Sequence, residues 1–250
     1  MAIALHTEGS WVAANATTQV VTLPTHSTGD MLIIRAGMKH ATLPGDITCN
    51  QGFTQIDEFN NGTTASGNGS GDVQIVAFYK EAASAAETNP TLTFHASVAA
   101  TPSCAVATSI TPTAGKVWVT PVGDSGAIAA ATSYSATMAS HIAATAGDFL
   151  IGFAVTNDNT TLTVPTFTQT GITFAAVVES PAAALSSATS NDISADGCYR
   201  IANSGTSSAA AVFTGTNSVA DVGAAMVIRL REEDPPASVS NPGWAGAGVW

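Results

Sequence analysis

The sequence predicts an all-β fold: two tandem antiparallel β-sandwich (jelly-roll-like) domains followed by an extended C-terminal arm. Three observations predict it. Apolar and polar residues alternate with a period of two along short segments, turn residues punctuate those segments, and the chain repeats itself at a spacing near 118 residues. The 250 residues suffice for two domains of ordinary size, and 45% hydrophobic content allows a sizeable core.

The repeat is carried by anchors in a constant order. Gly29-Asp30-Met31-Leu32-Ile33 matches Gly147-Asp148-Phe149-Leu150-Ile151, and Gly52-Phe53-Thr54 matches Gly171-Ile172-Thr173. Tyr79-Lys80-Glu81-Ala82 matches Tyr199-Arg200-Ile201-Ala202; Phe94 falls opposite Phe213, and Ile110 opposite Ile228. The offset drifts only from 118 to 120. The expected units are residues 1–113 and 116–231, joined near Thr113-Ala114-Gly115-Lys116, with residues 232–250 as the arm.

Each element has a local reason. Met31–Ile34 and Phe149–Phe153 follow Gly-Asp turns, where Gly supplies φ freedom and Asp bonds local backbone. Asp72–Tyr79 is continuously apolar, as a central strand should be. Thr91–Val98 alternates strictly, with Leu92, Phe94, Ala96 and Val98 on one face, and Ala224–Leu230 alternates in the same way. Pro44-Gly45-Asp46, Asn60-Asn61-Gly62 and Gly123-Asp124 read as turns, and Asn60–Gly71 as a long Gly-rich loop. Ala82–Glu87 and Pro181–Leu185 are candidates for short helical turns, too short to be main helices. In the arm, Pro235-Pro236 blocks strand continuation, and Trp244 and Trp250 stand on a Gly/Ala/Pro background as candidate assembly contacts.

Composition narrows the function. Only 10% of residues are charged, and Ala, Ser and Thr make up about two-fifths of the chain. The net charge of −11 argues against nucleic-acid partners and against a polybasic membrane binder. No apolar run is long enough to span a bilayer, and Met1–His6 lacks the pattern of a signal peptide. Cys49, Cys104 and Cys198 have no metal-knuckle spacing and read as small packing thiols, and the five histidines show no zinc spacing. The acidic groups at Asn157-Asp158-Asn159, Asn191-Asp192 and Asp196-Gly197 read as Asx turns rather than calcium ligands. Gly123-Asp124-Ser125-Gly126 matches the nucleophile tetrad of chymotrypsin-like proteases, but neither His40 nor His95 stands in the context a catalytic base requires. The sequence therefore predicts no catalytic residue, no cofactor, no metal and no enzymatic activity.

Each half resembles a β-sandwich unit found in structural proteins of tailed bacteriophages. The first copy carries Gly29-Asp30-Met31-Leu32-Ile33, Pro44-Gly45, Gly52-Phe53-Thr54, Phe78-Tyr79-Lys80-Glu81-Ala82, Glu87, Thr91-Leu92-Thr93-Phe94 and Ser109-Ile110. The second keeps Gly147-Asp148, Gly171-Ile172-Thr173 and Cys198-Tyr199-Arg200-Ile201-Ala202 and loses the Glu turn. The resemblance implies a non-enzymatic virion protein, made in the host bacterial cytoplasm: a capsid decoration protein or a tail or fibre appendage. It implies a homo-oligomer, a trimer as first expectation, that contacts other virion proteins. A carbohydrate-binding adhesin module and a double jelly-roll major capsid protein are the alternatives.

Overall fold

Apolar runs and small residues build the inner strands, which are covered on both faces. These include the continuous Met31–Met38 and Phe149–Thr156, and also the alternating Ala224–Leu230 and the Ser- and Thr-bearing Pro102–Thr111, whose small polar side chains are buried with the apolar ones. The computed structural model describes residues 3–39, 46–61, 73–94, 102–187 and 192–236, and among these every regular element is a β-strand. The first half holds β1 (Ala4–Glu8), β2 (Val12–Asn15), β3 (Thr18–Val20), β4 (Met31–Lys39), β5 (Thr48–Cys49), β6 (Thr54–Asn61), β7 (Val73–Glu81), β8 (Thr91–Thr93) and β9 (Pro102–Thr111). The second holds β10 (Val117–Thr137), β11 (Phe149–Thr156), β12 (Leu162–Thr168), β13 (Ile172–Phe174), β14 (Val178–Glu179), β15 (Leu185–Ser187), β16 (Ile193–Gly205) and β17 (Val212–Glu233).

The two halves use one strand order. In the first, an inner sheet runs β1-β9-β4-β7-β6, with β2 also on β9, and an outer sheet runs β3-β8-β5. In the second, the order is β10-β17-β11-β16-β13. Here β10 and β17 are long enough to serve both layers: Val117–Ile128 pairs along Gly223–Glu233, and Ser133–Thr137 pairs along Val212–Thr216 beside β12. Ile33 faces Tyr79 just as Ile151 faces Tyr199. The turns before β4 and β11 match bond for bond. Gly29 (φ 88°) and Gly147 (φ 95°) donate to the carbonyls of Ala82 and Ala202, which donate back to those of Asp30 and Asp148. The register corrects two anchors. Met31 faces Ile110 and Phe149 faces Leu230, so Leu230 rather than Ile228 takes the place of Ile110. Thr54 faces Tyr79 while Val178 faces Tyr199, so Val178 rather than Thr173 takes the place of Thr54.

The inner sheets pack on each other. Met31, Ile33, Val73, Ile75, Val106 and Ile110 meet Phe149, Ile151, Phe153, Val155, Met226, Ile228 and Leu230 in one shared core. The opposite face of each inner sheet packs under its own outer layer. Leu32, Ile34, Val76 and Phe78 lie under Val21, Ile47, Leu92 and Phe94; Leu150, Ala154 and Val227 lie under Tyr134, Phe167 and Phe213. The result is four stacked layers, and it explains why Met31–Met38 and Phe149–Thr156 are buried at every position. Across the shared core, β4 meets β11, β9 meets β16, β7 meets β17 and β6 meets β10. Because β9 corresponds to β17 and β7 to β16, this is the arrangement of a two-fold dimer interface inside one chain.

Glycines set the spacing of the layers. A Cβ on Gly37 would stand 2.7 Å from a Val155 methyl group, and one on Gly123 would stand 2.9 Å from Ile56. This corrects the expected turn at Gly123-Asp124: the pair lies inside β10, where Gly123 faces Ile228. The Gly there permits close approach of two sheets rather than a reversal of the chain. Nor do Ala82–Glu87 and Pro181–Leu185 form helical turns. In the first, the Glu87 carboxylate accepts the N–H groups of Ala83 and Ser84 and pairs with Lys80 at 2.5 Å, which fixes a non-helical loop. β17 also runs two residues into the expected arm, because Glu232 and Glu233 pair with Trp118 and Val117. Cys104 and Cys198 are buried and Cys49 half-buried; none forms a disulfide, and burial pushes each thiol up to about 12.

Overpacking the shared core tests this spacing. Gly37→Leu is expected to lower stability by about 1–3 kcal/mol, as extra methylenes in a filled core do. Val155→Ala in the same chain is expected to restore part of the loss, because it removes the methyl groups that the introduced leucine would strike. Urea unfolding midpoints of the two single variants and the double variant measure the coupling.

Candidate functional site

Ser125, the residue with the sharpest chemical motif, is buried in β10 and donates its Oγ–H to Asp57 Oδ2 at 2.8 Å. Asp57 is on β6, so the bond ties the two halves together. Burial pushes the Asp57 carboxyl up from the usual range, against the pull of Ser125. The described histidines are committed elsewhere. His6 Nδ1 lies 2.6 Å from Asp30 Oδ2, His26 Nδ1 lies 2.7 Å from the Pro24 carbonyl, and His141 Nε2 lies 2.9 Å from Ser207 Oγ. His40 and His95 lie outside the described residues. The Gly123–Gly126 tetrad, set in a regular strand with Ser125 donating to a carboxylate, has the geometry of a structural bond.

The most unusual side chain is one that sequence reasoning passed over. Arg35 stands mid-strand in β4 and is fully buried in the shared core. Its Nη1 donates to the Ser180 carbonyl at 2.7 Å and its Nη2 to Thr108 Oγ1 at 2.8 Å. The guanidinium lies 5.5 Å from the centre of the Trp11 ring. Ser180 in turn donates to Glu8 Oε2 at 2.6 Å. Burial lowers the Arg35 pKa to about 10, with Glu8 and Asp196 opposing the fall, so the side chain stays charged at neutral pH. Gly197 makes room: a Cβ there would come within 2.6 Å of Arg35 Nη1. The signal was present in the sequence as a lone Arg inside Met31–Met38, but only the fold shows what it meets. The arrangement is a polar clasp between halves, since a buried cation needs several partners and here takes them from both.

A second polar position is Asp196 on β16, also fully buried. Its Oδ1 accepts the Gly197 N–H at 2.7 Å, and burial pushes its pKa up to about 7. Further polar contacts cross between the halves at the edge. Trp118 Nε1 donates to the Gly29 carbonyl at 2.8 Å, Thr113 N donates to Glu232 at 2.7 Å, and Asn61 donates to the Gly223 carbonyl. The Asp residues of the two Gly-Asp turns take different partners: Asp30 accepts from Ser109 and Thr111, while Asp148 accepts two bonds from Arg231, 2.6 and 2.7 Å long. Among the described residues, no group of His, Cys, Asp and Glu has metal-binding geometry.

One open concavity lies on the first half. A groove of about 540 Å³ runs between β1–β2 and the segment from β3 to Thr25, with Thr7, Val12, Val20, Val21, Leu23 and Ala107 among its walls. Val12 and Val20 are 54% and 62% exposed. The candidate contacts Trp244 and Trp250 lie outside the described residues.

Asp196 yields a pH prediction. Its pKa rises from 3.8 in the unfolded chain to about 7 in the fold, so the folded state holds the proton more tightly. Stability linked to this group is then greatest below pH 4 and falls as pH rises toward 7. Asp196→Asn keeps an acceptor for Gly197 and removes the titration. Thermal unfolding at pH 4 and pH 8 is expected to show a smaller loss at high pH in the variant than in the parent, by a few kcal/mol on the order of the shift.

No family model, no curated protein and no solved structure matches the chain, so the functional reading stands on its own residues and geometry.

Proposed function

We propose that this chain is a non-enzymatic structural protein of a tailed-phage virion, a capsid decoration or accessory protein or a tail appendage, acting through protein–protein contacts. The single observation that carries the reading is that two of the motifs behind the phage resemblance, the Gly-Asp turn and the Tyr at the end of the next inner strand, occupy corresponding places in both halves. The Gly-Asp turns before β4 and β11 share their hydrogen bonds, and Tyr79 and Tyr199 share their register.

The chemistry of the molecule supports a role based on shape. Three of its polar side chains with the strongest environments, Arg35, Asp57 and Ser125, are committed to holding the halves together. The large hydrophobic residues exposed among the described ones are all valines, and no Phe, Tyr or Trp is exposed there. A stacking platform for sugar rings would require such rings, which favours the virion reading over a carbohydrate-binding module. An acidic, sparsely charged exterior also disfavours nonspecific attachment to DNA and to anionic cell surfaces.

Mass spectrometry and antibody labelling of purified virions test the proposal. The protein is expected in particles at a fixed copy number, at regular positions on the shell or at the tail, and Ser125→Ala is expected to be incorporated as the parent is. Absence from purified particles, or a hydrolytic activity abolished by Ser125→Ala, would overturn it.

A further inference from the structure

The two halves differ in how the chain closes after the strand that pairs with β9 or β17. In the second half, the chain after the long strand folds back onto it: Ala139 N donates to the Ser125 carbonyl at 2.9 Å and Ser140 N to Asp124 Oδ2 at 2.6 Å. Gly126 makes this closure possible, because a Cβ there would stand 2.5 Å from the Thr137 carbonyl. Gly126 pairs with Ala225, and in the first half Val12 pairs with Ala105 at the same register. Val12 thus occupies the position of Gly126, and a valine cannot let the chain close in the same way. The first half bridges the gap with side chains, Gln19 Nε2 donating to the Val12 carbonyl at 2.8 Å and Thr7 Oγ1 to the Thr25 carbonyl. What remains is the open groove, walled by valine, leucine, proline and alanine with Thr, Ser, Gln19 and Glu8 among them, beside β2 and β3, each of which has a single hydrogen-bonded neighbour strand.

We infer that this groove receives residues 237–250 of a second copy of the chain, which joins copies by an exchanged arm. The inference rests on the assembly reading above and names its contact. Three features favour this occupant. Residues 237–250 carry no charged side chain and two Trp, which suits a groove whose wall is mostly apolar. Each Trp has roughly 150–250 Å² to bury. Fourteen residues span roughly 45 Å when extended, ample to cross to a neighbour.

The third feature is direction. Lys116 Nζ holds Asp234 at 2.7 Å, and Glu232 is held by Thr113, so the chain departs at the end of the molecule where β1 begins. From there the groove runs back toward Val12, opposite to the heading of β17. Pro235-Pro236 favours an extended path at that point. Entry into its own groove requires a reversal of that heading.

The test uses the full-length protein. Val20→p-benzoylphenylalanine places a photo-crosslinker on the groove wall, and mixing ¹⁵N-labelled with unlabelled copies separates crosslinks between copies from those within one. The expected product joins residue 20 of one copy to a peptide within 237–250 of the other. Self-association, read by sedimentation, is expected to weaken at least tenfold in Val20→Glu and in Trp244→Ala/Trp250→Ala. It should be unchanged in Val219→Glu, a matched change at a site 59% exposed on β17. Crosslinks confined to one isotope, crosslinks that miss residues 237–250, or association indifferent to both sets of variants would overturn the inference. Because these readouts use isolated protein, their failure leaves the virion reading to its own measurement on particles.

Discussion

An inner sheet that is apolar on both faces must be covered on both, and this requirement organises the molecule. Strands β4 and β11 have no polar face to offer water. Each half covers one face of its inner sheet with its own outer strands. The other face has the same character in both halves, and the two faces satisfy each other in the shared core. Burying a large apolar side chain contributes about 1.5–3 kcal/mol, so separating the halves would expose many such groups at once.

The shared core also explains the placement of polar groups and glycines. Arg35 is tolerated at the centre because Ser180, Thr108 and the Trp11 ring converge on it from both halves. Removing one partner of a buried charge is costlier than replacing the whole set, so such a clasp resists drift one residue at a time. Gly37, Gly123 and Gly197 bring the sheets close where a Cβ would collide. The two-fold pattern is therefore approximate by necessity: Phe153 stands where Arg35 stands in the other half, and Trp11 touches both.

Much of the fold was legible in the sequence because its signals are local. Gly-Asp turns, continuous apolar runs and alternation act over a few residues and appear as expected at Asp30–Ile34, Val73–Tyr79 and Phe149–Phe153. What escaped depends on tertiary neighbours. Gly123-Asp124 carries the composition of a turn, yet it lies in a strand because another sheet presses on Gly123. Arg35 looks like an interruption of an apolar strand, yet it is the centre of a buried network. The groove was equally invisible, since it arises from a difference between corresponding positions, Val12 against Gly126. Sequence alone also gave no reason for the halves to pack through their inner faces, because burial on both sides reads the same whatever covers it.

Native-state hydrogen exchange tests the central claim, that one shared core holds both halves, most directly. The slowest amides of Met31–Met38 and of Phe149–Thr156 should exchange with one common free energy, equal to that of global unfolding, and with the same dependence on denaturant. Two distinct free energies, with one half's inner strand opening while the other stays protected, would contradict the account.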